Sequence, residues 1–437
     1  MRDDSPYAEP GTLLGQLQRG RGLGALRASA APGAADLVHA CVIGDHRWDR
    51  TTEQRDSYLA RLIHRLDLSP APIESHLFGS GGDGDAEEIE LALHVLALLP
   101  LTGRFDAVPV LRRYATEGRH WTSAVEAIEW TGVREMPGIW AGLDADVVAA
   151  HSDEELAAGV VGAWEPWTSW ARTQPRIRHV LEADAARRTR DLGGKAAGRA
   201  TPPRPGPSPD DCTDTGSSVL VERVRQAGGP GRRQALVELG SRGEPVLLDL
   251  AEDPGLRNAA GWAPGMPQAL RHLGKAAVPR ARAWTASGDT TLNALGVGVL
   301  AGFGDRDDGR HLLEALTAAA TAGDWCAMET PARGLGRLRV AEATGALVGA
   351  WETTVHSAAR GAVLQGLLGC APEAAEGFAV EALDDCEPDV QRQACAVVPD
   401  TARVRGRLRS LGDDPLAPEV HDAARLRLDR FAVPESG

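Results

Sequence analysis

Lysine is nearly missing from this chain: it occurs only at Lys195 and Lys275, so 45 of the 47 basic residues among 437 are arginine. Tyrosine and phenylalanine are also scarce, at three and five, which leaves eleven tryptophans to supply most of the large aromatic volume. No stretch approaches about 18 uninterrupted apolar residues, and Met1-Arg2-Asp3-Asp4-Ser5-Pro6 lacks the apolar segment of a secretory leader, so neither a membrane span nor export is expected. The six cysteines are scattered without a C-x-x-C pair, and Cys41 and Cys395 lie in apolar helical runs. That pattern predicts reduced thiols in a cytoplasmic protein rather than a disulfide frame. Positive charge is outweighed as well. A net charge of −14 and a pI near 5.4 argue against a dedicated nucleic-acid binder, because neutralising phosphates needs a basic face, and they suit a cationic partner instead.

Chemical signatures are equally sparse. No H-E-x-x-H or H-x-x-x-H pair occurs, and the nearest mixed group, Asp36, His39 and His46, spans a helix and a loop without fixed ligand geometry, so no metal or cofactor is expected. G-x-S-x-G and the P-loop pattern are absent. Gly20-Arg21-Gly22-Leu23-Gly24 is not the G-x-G-x-x-G of a dinucleotide fold, and it reads as a link between short helices or a close packing site. Gly296 to Gly302 likewise reads as small residues packing helix on helix.

What the sequence does contain is helical periodicity. Leu59, Leu62, Ile63 and Leu66 fall at i, i+3, i+4 and i+7, and Ile89, Leu93, Leu96 and Leu99 form a second stripe behind a capping Asp85. Further helices are predicted over 34–43, 107–114, 121–130 and 153–162, then over 219–226, 233–239 and 245–251. Short helices joined by tight turns, with few strand signals, predict an all-α fold. Between 171 and 205 nine basic residues face three acidic ones, an excess of +6, and the Gly-, Pro- and Ser-rich composition after 192 reads as a linker. The expected organisation is an irregular helical domain over 1–192, a flexible linker over 193–218 and a more regular domain over 219–437.

The most regular stretch is Leu383 to Val398. Asp385 to Pro388 opens a helix as a turn, and Val390, Ala394 and Val397 share one predicted face, with Arg392 between them. Looser copies align at Leu256, Leu292, Val355 and Val420; the five positions are 36, 63, 35 and 30 residues apart, a period of 30 to 36 if the 63 spans two units. This order of acid, Pro, Val, Arg and Ala resembles the inner helix of a HEAT-type repeat. The likeness is clearest over 219–437 and weaker over 12–170, and the arginine bias is of an actinobacterial type. It implies an α-solenoid of helix pairs with a concave binding face. HEAT-like proteins are mostly scaffolds or adaptors; a minority are enzymes, notably alkylpurine DNA glycosylases, whose active site no motif here carries over.

Two regions hold the candidate site residues. Arg47-Trp48-Asp49-Arg50, with Arg21 nearby in sequence, combines side chains that bury large surfaces while keeping polar handles. The plainer reading pairs these arginines with Asp45, Asp49, Glu53 and Asp56. Glu126, Glu129 and Trp130 on one helix, with Trp121, can be drawn as an acid beside aromatics that grip a damaged nucleotide, although large rings filling a core explain the tryptophans equally well. The expectation is therefore a non-catalytic scaffold or adaptor, immunity-like or otherwise, that binds a protein or peptide, a basic one by charge, through Arg21, Arg47, Trp48, Arg50, Trp121 and Trp130. The alternative is a nucleic-acid-acting enzyme using Glu126, Glu129 or Asp49, and a weaker one is a lyase acting on a small molecule.

Overall fold

A computed structural model describes residues 6–79, 85–133, 136, 138–196, 216–226, 230–257 and 261–432. Its regular elements are helices, and no strand occurs among the described residues. None of the helices there is long and apolar enough to cross a membrane.

The chain divides into two compact units. The first comprises Met1–Thr201, Val355–Ala358 and Ala379–Gly437, and the second Pro202–Thr354 and Ala359–Phe378. This differs from the boundary read in the sequence, because residues 379–437 group with the N-terminal helices. The physical reason lies in the turn at Asp385 to Pro388. Cys386 donates its backbone N–H to the Gly20 carbonyl at 3.0 Å, and Arg21 makes a bidentate pair with Glu381, at 2.9 and 3.0 Å. Gly20 sits at φ +64 there, and a Cβ on Gly22 would collide with the Glu381 carbonyl, so both glycines are required by this close approach. Of the expected linker, residues 193–196 continue the helix Pro175–Ala196, and 197–215 lie outside the described residues. Residues 80–84 of the Gly-rich loop also lie outside them.

Within the first unit, helix Ala34–Gly44 pairs with Arg55–Arg65, Ala71–Phe78 with Ala86–Leu98, and Ala107–Glu117 with Trp121–Ile128. The second members then stack in a row, Arg55–Arg65 on Ala86–Leu98 on Trp121–Ile128. Leu59, Leu62, Ile63, Ile89, Leu93, Leu96, Val125 and Ile128 are at most 2% exposed along this row, as the sequence stripes predict. Asp85 stands at the N-cap position, but its side chain makes no capping hydrogen bond.

The second unit repeats the arrangement. Ser217–Gln226 pairs with Pro230–Ser241, Val246–Glu252 with Met266–Leu273, Val278–Thr285 with Thr290–Phe303, Gly309–Ala322 with Trp325–Leu338, and Thr344–Thr353 with Ala359–Cys370. The second helix of each pair packs on that of the next. Glycine sets the spacing: a Cβ on Gly240 would lie 2.8 Å from Ala269, one on Gly334 2.7 Å from Ala301, and one on Gly336 2.7 Å from the Gln365 carbonyl. Gly296 meets Ala281 in the same way, whereas Gly298 and Gly302 meet nothing within 4 Å, so of the three glycines in that run only Gly296 stands at a close helix contact.

The stacked helices start at 230, 266, 290, 325 and 359, intervals of 36, 24, 35 and 34 residues. The register aligned in the sequence does not coincide with them. Leu292 and Val390 lie in α-helices, whereas Leu256 and Val420 end short 3-10 turns and Val355 lies between helices. Helix Pro388–Val397 also buries a different face from the one expected. Val390, Gln391, Ala394, Cys395 and Val398 are buried, while Val397 is 40% exposed, because the side of the helix bearing Gln391 is turned inward by hydrogen bonds from its amide to the Asp385 and Leu383 carbonyls.

Candidate functional site

The first unit holds a cleft of about 670 Å3. Its floor and polar wall come from the segment after helix Ala34–Gly44, the start of Arg55–Arg65 and the exposed edge of Ala86–Leu98, which bring Arg47, Arg50, Glu53, Asp56, Glu90 and His94 together. The lining also holds the apolar residues Leu98, Leu101, Trp130, Pro415, Leu416 and Pro418, and Glu419 and His421 complete it. Trp130 is 83% exposed. It is held out by a π-turn over Glu129–Val133 that interrupts the helix after Ile128, and Thr131 anchors that turn by donating its hydroxyl to the Ala127 carbonyl at 2.9 Å.

Beneath the cleft lies a buried ionic network. The Glu53 carboxylate, with a side chain fully withdrawn from solvent, accepts the backbone N–H of Trp48 at 3.0 Å and of Ser357 at 2.8 Å, and pairs with Arg55 at 3.2 Å and with His356 Nδ1 at 3.2 Å. Arg55 continues to the Gln18 and Val355 carbonyls, and Ser357 donates its hydroxyl to Glu387. Burial disfavours the charge on Glu53, yet the His356 contact, the Arg55 guanidinium and the two backbone donors hold its pKa below the ordinary 4.5. Asp56 is shifted the same way: burial opposes its ionisation, and His94, with Nδ1 3.7 Å away, outweighs it.

The arginines at the cleft are already engaged. Arg47 makes a two-pronged pair with Asp45, both contacts at 2.8 Å, and reaches Glu90 at 3.4 Å; Arg50 contacts Asp45 at 3.4 Å and Glu87 at 3.1 Å. Asp45 adopts φ +34 to receive both. Besides the buried Glu53, already paired with Arg55, the lining carboxylates are Asp56, Glu90 and Glu419, and with Asp45 pairing both Arg47 and Arg50 from behind, the cleft carries negative charge beside an exposed indole.

The structure thus gathers Arg47, Arg50 and Trp130, among the residues singled out in the sequence, into one cleft. Trp48 lies beside it, 45% exposed, its ring 4.7 Å from that of His356. Glu126 is not among the residues that line it; partial desolvation and the Glu90 carboxylate push its pKa up, against His94. Arg21 and Trp121 are elsewhere. Arg21 is buried in its pair with Glu381, and Trp121 is a core residue, stacked on His151 at 4.2 Å and edge-on to Trp167. Glu129 is half-buried at the start of the π-turn, and Asp49 is a half-buried loop residue whose carboxylate accepts from the Thr51 hydroxyl and N–H, which lowers its pKa. Sequence reasoning missed Glu90, His94, Glu419 and His421, which come from surfaces far apart in the chain. The one available signal was that Glu90 and His94 sit four residues apart on the polar side of the Ile89 to Leu99 stripe.

No group of three or more His, Cys, Asp or Glu residues placed to hold a metal ion occurs among the described residues. No protein-family model, curated protein or solved structure matches the chain.

Proposed function

We propose that this chain is a non-catalytic, cytoplasmic HEAT-like α-solenoid that captures a basic protein segment in the cleft around Trp130. The helix pairing and the stacked rows in each unit support the repeat reading. The observation that carries the binding reading is the pairing of surplus carboxylates with an exposed tryptophan in one cleft. A Lys or Arg side chain gains there from Asp56, Glu90 and Glu419 and from the indole face, a combination that selects cations over anions. Nucleic acid is disfavoured by the same geometry, since Arg47 and Arg50 are committed to carboxylates and the remaining charge repels phosphate.

Calorimetric titration of the full chain with an arginine- and lysine-rich peptide tests this. Saturable binding is expected, weakened roughly fivefold by Trp130→Ala through loss of about 1 kcal/mol of cation–π and contact energy. Equal affinity for the Trp130→Ala variant, or tighter binding of an acidic peptide, contradicts the proposal.

A further inference from the structure

A second cavity in the first unit, of about 490 Å3, has the opposite electrostatic character. Helix Arg55–Arg65 presents Arg61, His64 and Arg65 to it from successive positions of one face, and helix Ala402–Gly412 presents Arg407 and Ser410 at i and i+3. Leu101, Thr102, Asp414 and Pro415 close it. Three guanidiniums in one cavity of a protein with a net charge of −14 call for a counter-charge, and the chain supplies only part of it.

Arg65 Nη2 and Arg407 Nε share a single carboxylate oxygen, Asp384 Oδ1, at 3.0 and 3.1 Å. Arg407 Nε is buried and makes no hydrogen bond in that geometry, and its Nη2 donates to the Leu383 carbonyl at 3.3 Å. Arg61 reaches Asp414 at 3.4 Å, a long contact, while its Nε donates to the Ser57 carbonyl at 3.2 Å. Two carboxylates therefore serve three guanidiniums. The strain of this arrangement is visible in Arg407, whose pKa is lowered by burial first and then, despite Asp384, by the charges of Arg61 and Arg65. Arginine forks of this kind match the paired oxygens of phosphoryl and carboxylate groups.

From this geometry we infer that the cavity lined by Arg61, His64, Arg65, Arg407 and Ser410 is a binding site for a multiply charged oxyanion, a phosphoryl or polycarboxylate group. Ser410 supplies a neutral hydroxyl donor at its edge, and the bound anion completes the charge balance that Asp384 and Asp414 leave unfinished. The site is separate from the acidic cleft, with which it shares only the wall formed by Leu101 and Pro415.

The test is calorimetric titration of the full chain with sodium pyrophosphate and, separately, sodium citrate at matched ionic strength. Saturation below about 1 mM is expected for at least one of them, and which one saturates tells whether the group is phosphoryl or carboxylate. Arg407→Gln should weaken that binding at least tenfold, with partial recovery in Arg407→Lys. Because Arg407 is partly buried and its removal can unfold the unit, Ser410→Asp, at an exposed position, provides the second arm: it places a carboxylate in the cavity without removing a native pair, and should abolish saturation in a folded protein. Absence of saturation by both anions in the unaltered chain, or unchanged affinity in Ser410→Asp, overturns the inference.

Discussion

Glu53 shows how a single side chain holds the candidate cleft in shape. Its carboxylate is fully buried and joins residues 48, 55, 356 and 357, so removing it takes away a carboxylate partner of Arg55 and the acceptor of two backbone donors. Glu53→Ala is expected to destabilise the chain by about 3 kcal/mol, read from urea denaturation, as is usual when one member of a buried charge network is deleted. The sign of the pH dependence follows from the same contacts. A carboxylate whose folded pKa lies below its unfolded value of 4.5 contributes stability above that value and loses it as pH falls through the folded one. The denaturation midpoint should therefore drop as pH falls below 4.5, and Glu53→Gln should flatten that drop. Thiol reactivity gives an independent check at this scale. Burial pushes the Cys41 thiol up to about 12 and that of Cys395 up to about 11, whereas Cys326 is exposed. Alkylation of the native protein near pH 8, followed by peptide mapping, should modify Cys326 well before Cys41 or Cys395. The sequence had marked both of the slow thiols as lying in apolar helical runs, and local periodicity was enough for that. The links from Glu53 to His356 and Ser357 and from Arg21 to Glu381 were not legible, because those partners stand 303 to 360 residues away and no spacing rule connects them.

At the scale of the helix, glycine decides how closely the rows approach. A Cβ on Gly336 would press on the Gln365 carbonyl, while one on Gly298 meets nothing within 4 Å although both residues sit inside helices. Gly336→Ala should cost about 1–3 kcal/mol by forcing the two helices apart. Gly298→Ala should gain about 0.5–1 kcal/mol from reduced backbone freedom in the unfolded chain. Thermal unfolding of the pair separates packing from propensity. Helix stripes such as Leu59, Leu62 and Ile63 were readable because each helix buries one face against its neighbours. Helix Pro388–Val397 was misread by one step, with Val398 inward and Val397 outward, since a polar residue, Gln391, fills part of the buried face and the hydrophobic pattern does not record it.

For the whole molecule, the expectation of a partner rested on composition and not on a motif. The net charge of −14 was the basis for expecting a cationic partner, and carboxylates and Trp130 line one cleft of the first unit. The cleft itself was only partly legible, through Arg47, Arg50 and Trp130. Its other wall, Pro415 to His421, arrives from a segment that sequence reasoning assigned to another domain, and the contacts that bring it there are long-range. The most direct test of the account is the affinity of the full chain for a basic peptide measured at low and at physiological salt, with and without the charge reversals Glu90→Lys and Glu419→Lys. One saturable site is expected, which weakens as salt rises and is lost in the doubly reversed protein. Binding that survives both reversals, or a preference for duplex DNA over the peptide, contradicts it.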